Sequence, residues 1–423
     1  MILTAECTRG GIRMVGNVIV GQSGGPTAVI NSSLVGVYKT AKDRGASKVY
    51  GMVHGIQGLL EGRYVDLDEH IRSDLDIELL KRTPSAYLGS CRYKLPEIGE
   101  NDEVYNHIFE LLYKLGVKSF FYIGGNDSMD TIRKLSDYAQ QIGSNIAFMG
   151  VPKTIDNDLA VTDHTPGYGS AAKYIGSIVK EVIRDGLVYD AKMVTIIEIM
   201  GRNAGWLTGA AALARGEDCE GPDMIYLPEI PMDVEDFLER VGKLQKEKKS
   251  IVIAVSEGMK LADGRYVCEL TDTVSFVDAF GHRSLTGTAR YLADQVAKRY
   301  GCKTRAIEFN TLQRCASHIV SRVDITEAFQ VGGAAVKAAF EGETAKMIVL
   351  KRLSQDPYQC ATDTYDIHQI ANVEKKVPRD WIDTDKMYVM PEFLGYIRPL
   401  IQAELSPIMV DGLPRHLYYA EKK

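Results

Sequence analysis

A short apolar run, a glycine-containing turn and a helical stretch recur in that order along this sequence. This repeated unit predicts a strand, a turn and a helix each time it appears. The predicted strands are residues 17–20, 119–123, 146–150, 193–199 and 250–255, and the predicted helices are 28–44, 128–141 and 204–214. Such alternation is typical of an α/β protein with mostly parallel sheets.

The chain length sets the number of structural units. At 423 residues the chain exceeds a single compact core, so the length predicts two lobes. No linker of low complexity marks a boundary, and the loop 156–169 is the best hinge candidate. From about Lys351 the sequence is richer in Asp, Tyr and Pro and predicts mixed helices and loops.

Composition narrows the possible partners and the compartment. The chain is 45% hydrophobic with a net charge of −6, which argues against nucleic acid or an anionic membrane as its main partner. Its seven cysteines are scattered without a CxxC pair, which predicts free thiols in a reducing cytosol. The first residues lack an apolar signal core, and no run approaches the ~20 apolar residues that a membrane span needs. We therefore expect a cytoplasmic protein.

Glycines and acids follow several of the predicted strands. Because ligands of open α/β sheets bind beyond the carboxyl ends of strands, Gly24–Gly25, Gly124–Ser128 and Lys153–Asp158 fall where a ligand would lie. Glycine alone permits a tight turn, and Asp127 or Ser128 could simply cap the next helix. The segments Gly124–Ser128 and Lys153–Asp158 both carry acids, and the second also carries a lysine. Together they indicate an anionic, metal-assisted site suited to phosphoryl transfer.

Other charged residues leave two interpretations open. Asp156 and Asp158 stand two residues apart, so in an extended loop they would share a side and one could act as a base. They could equally form an Asx-turn pair. Arg202, Arg305 and Arg314 could clamp a phosphate or lie on the surface as most arginines do.

Together these motifs resemble the phosphofructokinase family, whose members phosphorylate fructose 6-phosphate at its 1-hydroxyl. The matching segments stand in family order between about residues 16 and 315; they are Ser23–Gly25, Gly124–Ser128, Thr154–Asp158, Met200–Arg202, Ser256–Gly258 and Gln313–Arg314. The resemblance implies two doubly wound α/β lobes with the active site in the cleft between them. It implies a phosphoryl-donor lobe of 16–165 plus roughly 312–360, and a sugar-phosphate lobe of 166–311 plus roughly 361–423.

The resemblance also implies roles for individual residues. Asp156, Lys153 and Asp127 would be catalytic, with Asp156 as the base, and Asn126 would stand at the Mg²⁺ site. The expected diphosphate-binding residues are Gly25, Arg92, Asp127 and Lys153. The expected sugar-phosphate residues are Thr154, Ile155, Asp156, Met200, Gly201, Arg202, Glu257, Arg305, Thr311 and Arg314.

Two positions favour the pyrophosphate-dependent branch of that family. ATP-using members carry glycine where Asp127 and Lys153 stand here. A carboxylate at the first position would oppose an ATP α-phosphate, and a lysine at the second would steady the diphosphate. We therefore expect diphosphate and fructose 6-phosphate as substrates, Mg²⁺ as cofactor, and a homodimer or homotetramer, as in the family.

Departures from the family pattern bear on the metal, the sugar and regulation. Asn126 replaces an aspartate, Thr311 a histidine and Met193 an arginine of some relatives, and the segment 31–34 lacks the arginines that bind nucleotide effectors. The last difference predicts no allosteric control by nucleotides. Two alternatives stay open: an ATP-dependent phosphofructokinase, and a sugar-phosphate-binding regulatory subunit without activity. A third, a nucleotide-cofactor kinase with a similar glycine turn, does not explain Thr154–Asp158.

Overall fold

A computed structural model describes residues 16–271 and 285–419. The strands in this part of the chain are β1 (Asn17–Gln22), β2 (Val49–Met52), β3 (Tyr64–Asp66), β4 (Val117–Gly124), β5 (Ala147–Pro152), β6 (Met193–Ile199), β7 (Met224–Tyr226), β8 (Ser250–Ser256), β9 (Lys303–Glu308), β10 (Lys346–Gln355), β11 (Tyr358–Asp366), β12 (Ile382–Asp383), β13 (Tyr388–Val389), β14 (Met409–Val410) and β15 (Leu413–Pro414).

The α-helices are α1 (Ile30–Asp43), α2 (Gly55–Leu60), α3 (Asp74–Arg82), α4 (Asp102–Lys114), α5 (Asn126–Gln141), α6 (Tyr168–Gly186), α7 (Trp206–Gly209), α8 (Val234–Glu247), α9 (Thr288–Tyr300), α10 (Leu312–Cys315), α11 (Arg322–Phe340) and α12 (Pro391–Ile397). Short 3₁₀ turns span Leu67–Glu69, Ala210–Ala214, Val267–Leu270, Ser317–Ile319, Ile367–Gln369, Arg379–Trp381 and Arg398–Ile401.

Two sheets organise these elements. The first has seven strands in the order β11-β10-β5-β4-β1-β2-β3, with parallel pairing from β10 through β2 and antiparallel strands at both edges. The second has four strands in the order β7-β8-β6-β9, all parallel. Parallel strands need helical crossovers, and these cover both faces of each sheet.

Alternating residues of the strands divide the core into layers. In β1, Val18 and Val20 pack on the side of α1 and α11, whereas Ile19 packs on the side of α4 and α5. In β6, Ile197 packs towards α6 and Ile196 towards α8 and α9. Each sheet is therefore buried on both sides, which confirms the predicted α/β class with doubly wound sheets.

The predicted strands and helices are present, with small shifts of their ends. Residues 204–214 form α7 and a 3₁₀ turn rather than one helix. The prediction of mixed helices and loops after Lys351 is wrong for its first part, because β10 and β11 form a long antiparallel pair there. Strand β10 begins with the buried apolar run 347–350, which the sequence prediction did not use, whereas its second half and β11 are half-exposed and lack such a run.

Other expectations from the sequence can be checked directly. The six cysteines in the described residues are free thiols, and Cys7 lies outside them. Among the described helices, none combines the length and the hydropathy that crossing a membrane would require.

Helices α1 and α11 pack backbone against backbone. A Cβ added to Gly36 would lie 2.1 Å from the carbonyl oxygen of Phe329, and one added to Gly332 would lie 2.2 Å from that of Ser33. Neither carbonyl can move aside without distorting its own helix. These two glycines therefore fix the distance between the helices.

We expect Gly36→Ala to destabilise the protein by about 1–3 kcal/mol, the usual cost of overpacking a core. Gly395 is the matched control, because it lies in α12 and a Cβ there would meet nothing within 4 Å. Gly395→Ala should be neutral or stabilise by up to about 1 kcal/mol, since glycine is a poor helix former. Urea denaturation of both variants measures the difference, and equal stability would contradict the close helix contact.

Candidate active site

Three neighbouring parallel strands of the first sheet end at the same edge. Strand β1 leads into the glycine turn 23–25, β4 into Gly125 and the first turn of α5, and β5 into the loop that begins at Lys153. The backbone N–H of Ser23 donates to Ile123 (2.9 Å), and that of Lys153 donates to Gly124 (3.0 Å). These bonds continue the ladder past the strands and hold the three turns side by side.

Lys153 joins two of these turns through its side chain. Its Nζ donates to the carbonyl oxygens of Ser23 (2.8 Å) and Gly25 (2.6 Å), and the side chain is buried. Burial lowers the pKa of Lys153 to about 7, although the carboxylate of Asp156 opposes the shift. An ammonium has three N–H groups, so one donor is available beyond the two carbonyls.

The loop carrying Arg92 is tied to the same glycine turn. The N–H of Gly24 donates to the carbonyl of Cys91 (3.2 Å), and the Ser90 hydroxyl donates to the carbonyl of Gly24 (2.6 Å). Gly24 has φ +73°, a conformation that favours glycine. Arg92 thereby stands beside the turn, and burial together with Arg314 and Arg202 lowers its pKa.

The second sheet contributes the opposite wall. The Ser256 hydroxyl donates to the carbonyl of Gly201 (2.6 Å), and the Glu257 N–H donates to Ile199 (2.9 Å). A Cβ added to Gly258 would lie 1.9 Å from the carbonyl oxygen of Arg202. The sequence Ser-Glu-Gly after β8 is therefore explained by its contact with the turn after β6, which places Arg202 and Glu257 together.

The two walls enclose a cavity of about 540 Å³. Its lining residues are Gly24, Gly25, Pro26, Arg92, Gly125, Asn126, Asp127, Ser128, Lys153, Thr154, Ile155, Asp156, Asp158, Met200, Arg202, Asn203, Ala204, Glu257, Arg314, Asn372 and Glu374. Cationic and carboxylate side chains thus line the same open cavity.

Burial and mutual repulsion shift the carboxyl groups of this cavity. Burial raises the pKa of Asp156, while Lys153 and Arg202 oppose the shift. Burial and the neighbouring Asp156 raise the pKa of Asp158 to about 7 and that of Glu257 to about 8. Perturbed acids grouped in a cleft are characteristic of functional sites.

Most of the residues predicted from the sequence line this cavity, and three do not. Gly201 is buried behind the wall, where its φ of +130° shapes the turn. Arg305 lies on β9 with its guanidinium bonded to Asp185 (2.8 Å), and Thr311 is exposed before α10. Asp156 and Asp158 both line the cavity. The loop between them is not extended, because Asn157 has φ +55°.

Sequence reasoning missed Asn203, Asn372 and Glu374. Asn203 follows Arg202 directly and could have been found from that neighbour. Asn372 and Glu374 belong to a segment more than 50 residues beyond the last matching motif, and nothing near them marks a site. Only the fold brings them to the cavity.

Comparison with known proteins agrees with this architecture. A family model described as Phosphofructokinase matches residues 17–339. The chain is 38% identical to a pyrophosphate–fructose 6-phosphate 1-phosphotransferase of Halomonas elongata, over 94% of this chain and 95% of that protein. It is 39% identical to the protein of that name from Xanthomonas campestris pv. campestris, over 95% of this chain and 96% of that protein.

A solved structure shows the same fold. The pyrophosphate-dependent phosphofructokinase of Marinobacter aquaeolei superposes with a TM-score of 0.85 at 36% identity, covering 97% of this chain and 98% of that one. Fold, motif order and nearly full-length similarity coincide. With its two mostly parallel sheets and the cavity between them, the chain belongs to the phosphofructokinase family.

Proposed function

We propose that this chain transfers a phosphoryl group reversibly from diphosphate to the 1-hydroxyl of fructose 6-phosphate, giving fructose 1,6-bisphosphate and phosphate. The names of its relatives in Halomonas and Xanthomonas support this activity. The observation that carries the choice of donor is the position of Asp127 and Lys153 on one cavity wall, beside the glycine turn.

The first wall suits a short donor. The N–H groups that open α5 and the glycine turn attract phosphate oxygens, and Lys153 and Arg92 add positive charge. Asp127 lies in the first turn of α5, where its carboxylate opposes a further phosphate group. Diphosphate fits between these charges, whereas a longer polyphosphate would meet the carboxylate. The lobe built on the first sheet is thus the proposed donor lobe.

The second wall suits the sugar phosphate. Arg202 supplies a guanidinium group for its phosphate from this wall, Arg314 supplies a second one from beside Gly25, and Glu257 lines the same space. Thr154, Ile155 and Met200 complete the proposed contacts, and Gly201 shapes the turn behind them. Arg305 and Thr311 do not line the cavity of this chain, and their roles stay predictions from the family resemblance.

Asp156 is the proposed base. The Asp156 N–H donates to the Thr154 hydroxyl oxygen (3.1 Å), which fixes the start of the loop. Because burial raises the pKa of Asp156, its carboxylate is a stronger proton acceptor than a free aspartate. It takes the proton of the 1-hydroxyl as the oxygen attacks phosphorus, and it returns the proton in the reverse reaction.

The donor set in the cavity fits Mg²⁺. Oδ1 of Asn126 is buried without a hydrogen-bond partner, and the carboxylate of Asp158 lines the same space. Oxygen ligands of this kind suit Mg²⁺, with phosphate oxygens and water completing its shell. Bound there, the ion would neutralise charge on the diphosphate. The proposed assembly is a homodimer or homotetramer and the proposed compartment is the cytoplasm, both by family membership.

The first test compares donors. Purified protein with Mg²⁺ and fructose 6-phosphate should form fructose 1,6-bisphosphate with diphosphate at least ~100-fold faster than with ATP, as measured by kcat/KM in a coupled assay. A preference for ATP would reject the donor and leave the family intact. Sugar binding without turnover on either donor would support the regulatory alternative.

The second test removes the base. Asp156→Asn keeps the shape of the side chain, so KM for both substrates should change little. Turnover should fall by about 10²–10⁴-fold in both directions, the usual worth of a positioned acid–base group. Near-normal turnover would instead point to Asp158 as the proton acceptor.

The third test uses the raised pKa of Glu257. Burial, Asp156 and Glu198 raise this pKa to about 8, so Glu257 is mostly neutral at pH 7 and mostly negative at pH 9. The sugar phosphate is already almost fully ionised at pH 7, since the second pKa of a phosphate monoester is about 6. KM for fructose 6-phosphate should therefore rise between pH 7 and 9 as Glu257 gains its charge.

In Glu257→Gln the ratio of KM at pH 9 to KM at pH 7 should be smaller than in the parent protein by roughly three- to tenfold. The reason is that a negative charge next to the bound anion weakens binding by of the order of 1 kcal/mol. Glu220→Gln, a change at an exposed glutamate, is the control and should follow the parent protein. Parallel KM profiles for the two variants would show that another group titrates.

A further inference from the structure

Residues 371–376, here called the crossing segment, run along the edge of the cavity from one lobe to the other. The segment follows the 3₁₀ turn Ile367–Gln369, which packs in the core of the first lobe. At the other end, the indole of Trp206 donates to the carbonyl of Lys375 (2.9 Å), and the N–H of Val377, the next residue after the segment, donates to Glu229 (3.0 Å). Both ends are thus fixed to different lobes.

Between these ends the crossing segment contacts α5 and the loop that follows β5. Asn372 donates to Oδ1 of Asp130 on α5 at 3.3 Å. The Lys375 N–H donates to the carbonyl of Asp158 at 2.7 Å, and Glu374 forms a backbone bridge with Leu159. The crossing segment is therefore attached to α5 and to the loop that carries Asp156, the proposed base.

Glu374 makes the remaining connection through its side chain. Its Oε1 accepts a hydrogen bond from Nδ2 of Asn203 at 2.8 Å, and Asn203 directly follows Arg202. This carboxylate also lines the cavity. A negative charge on the wall of an anion-binding cavity weakens binding by repulsion, so its presence calls for a compensating contact. The bond to Asn203 is that contact.

We propose that Glu374 is a positioning residue for the sugar-phosphate subsite, holding Asn203, and with it Arg202, against the loop that carries Asp156 and Asp158. The proposal rests on the proposed function for the identity of the sugar. Glu374 does not touch the reacting atoms in this role. Its effect passes through the turn after β6, so it concerns the affinity for the sugar phosphate and not the transfer of the phosphoryl group.

The properties of the contact limit what its loss would do. Glu374 is exposed, so removing it leaves no buried charge without a partner and should not unfold the protein. The hydrogen bond needs only an acceptor oxygen, which glutamine also supplies. A contact that orients Asn203 should therefore survive Glu374→Gln and be lost in Glu374→Ala.

The experiment compares Glu374→Ala, Glu374→Gln, Asn203→Ala and the double variant Glu374→Ala with Asn203→Ala. Binding of fructose 6-phosphate alone is measured by calorimetry, and KM and kcat are measured with diphosphate. Glu374→Ala should weaken sugar-phosphate binding and raise its KM by about three- to tenfold, the range for one lost hydrogen bond. The kcat and the KM for diphosphate should stay within about twofold of the parent values.

The pattern across the variants decides the proposal. Glu374→Gln should bind as the parent protein does or more tightly, and the double variant should bind no more weakly than Asn203→Ala. Equal losses in the alanine and glutamine variants, or additive losses in the double variant, would overturn it. Calorimetry of fructose 6-phosphate binding needs no phosphoryl donor. If the protein shows no turnover with diphosphate, the proposed function is rejected, and the affinities of the variants relative to the parent protein still test Glu374.

Discussion

The ammonium of Lys153 is the interaction on which the cavity depends. It bonds the carbonyls of Ser23 and Gly25, so it joins the turn after β1 to the loop after β5 across the intervening turn after β4. Hydrogen bonds from a charged donor contribute about 1.5–3 kcal/mol each, which offsets part of the cost of burying the charge. The rest of that cost appears as the lowered pKa.

A second ionic cluster lies at Asp163 and His164, in the loop that follows β5. The imidazole of His164 lies between the carboxylates of Asp163 (2.8 Å) and Glu327 (2.6 Å), and Arg352 also bonds Asp163. Burial would lower the pKa of His164, but Glu327 and Asp163 overcome this and raise it to about 9. The cationic ring therefore links the loop to α11 and β10 at neutral pH.

The sequence predicted the parts of the site that follow buried parallel strands. Apolar runs such as Met193–Ile199 leave little choice of structure, and the residues after them must gather at one edge of a sheet. Asp156 and Asp158 line the same cavity, as an extended loop would predict. The loop is not extended, however, because Asn157 has a positive φ and turns the chain between them. Periodicity cannot show such a turn.

The parts that could not be predicted depend on contacts between distant residues. The second half of β10 and all of β11 lack an apolar run, and their antiparallel pairing with each other makes them strands. Asn372 and Glu374 reach the cavity because the chain runs past it from the core beside the first sheet to Glu229 and Trp206. The family resemblance implies a sugar-phosphate role for Arg305, and in this chain its guanidinium bonds Asp185 outside the cavity. Motif order identifies residue types but does not determine where a side chain points.

The charges of the cavity explain how it can accept two anions. Lys153, Arg92, Arg202 and Arg314 face carboxyl groups whose pKa values are raised, so part of the negative charge is absent at neutral pH. An arriving sugar phosphate favours the charged form of Lys153 and the neutral form of Glu257. Both changes take up protons. Binding of anionic ligands and protonation of the cavity are therefore coupled, and each stabilises the other.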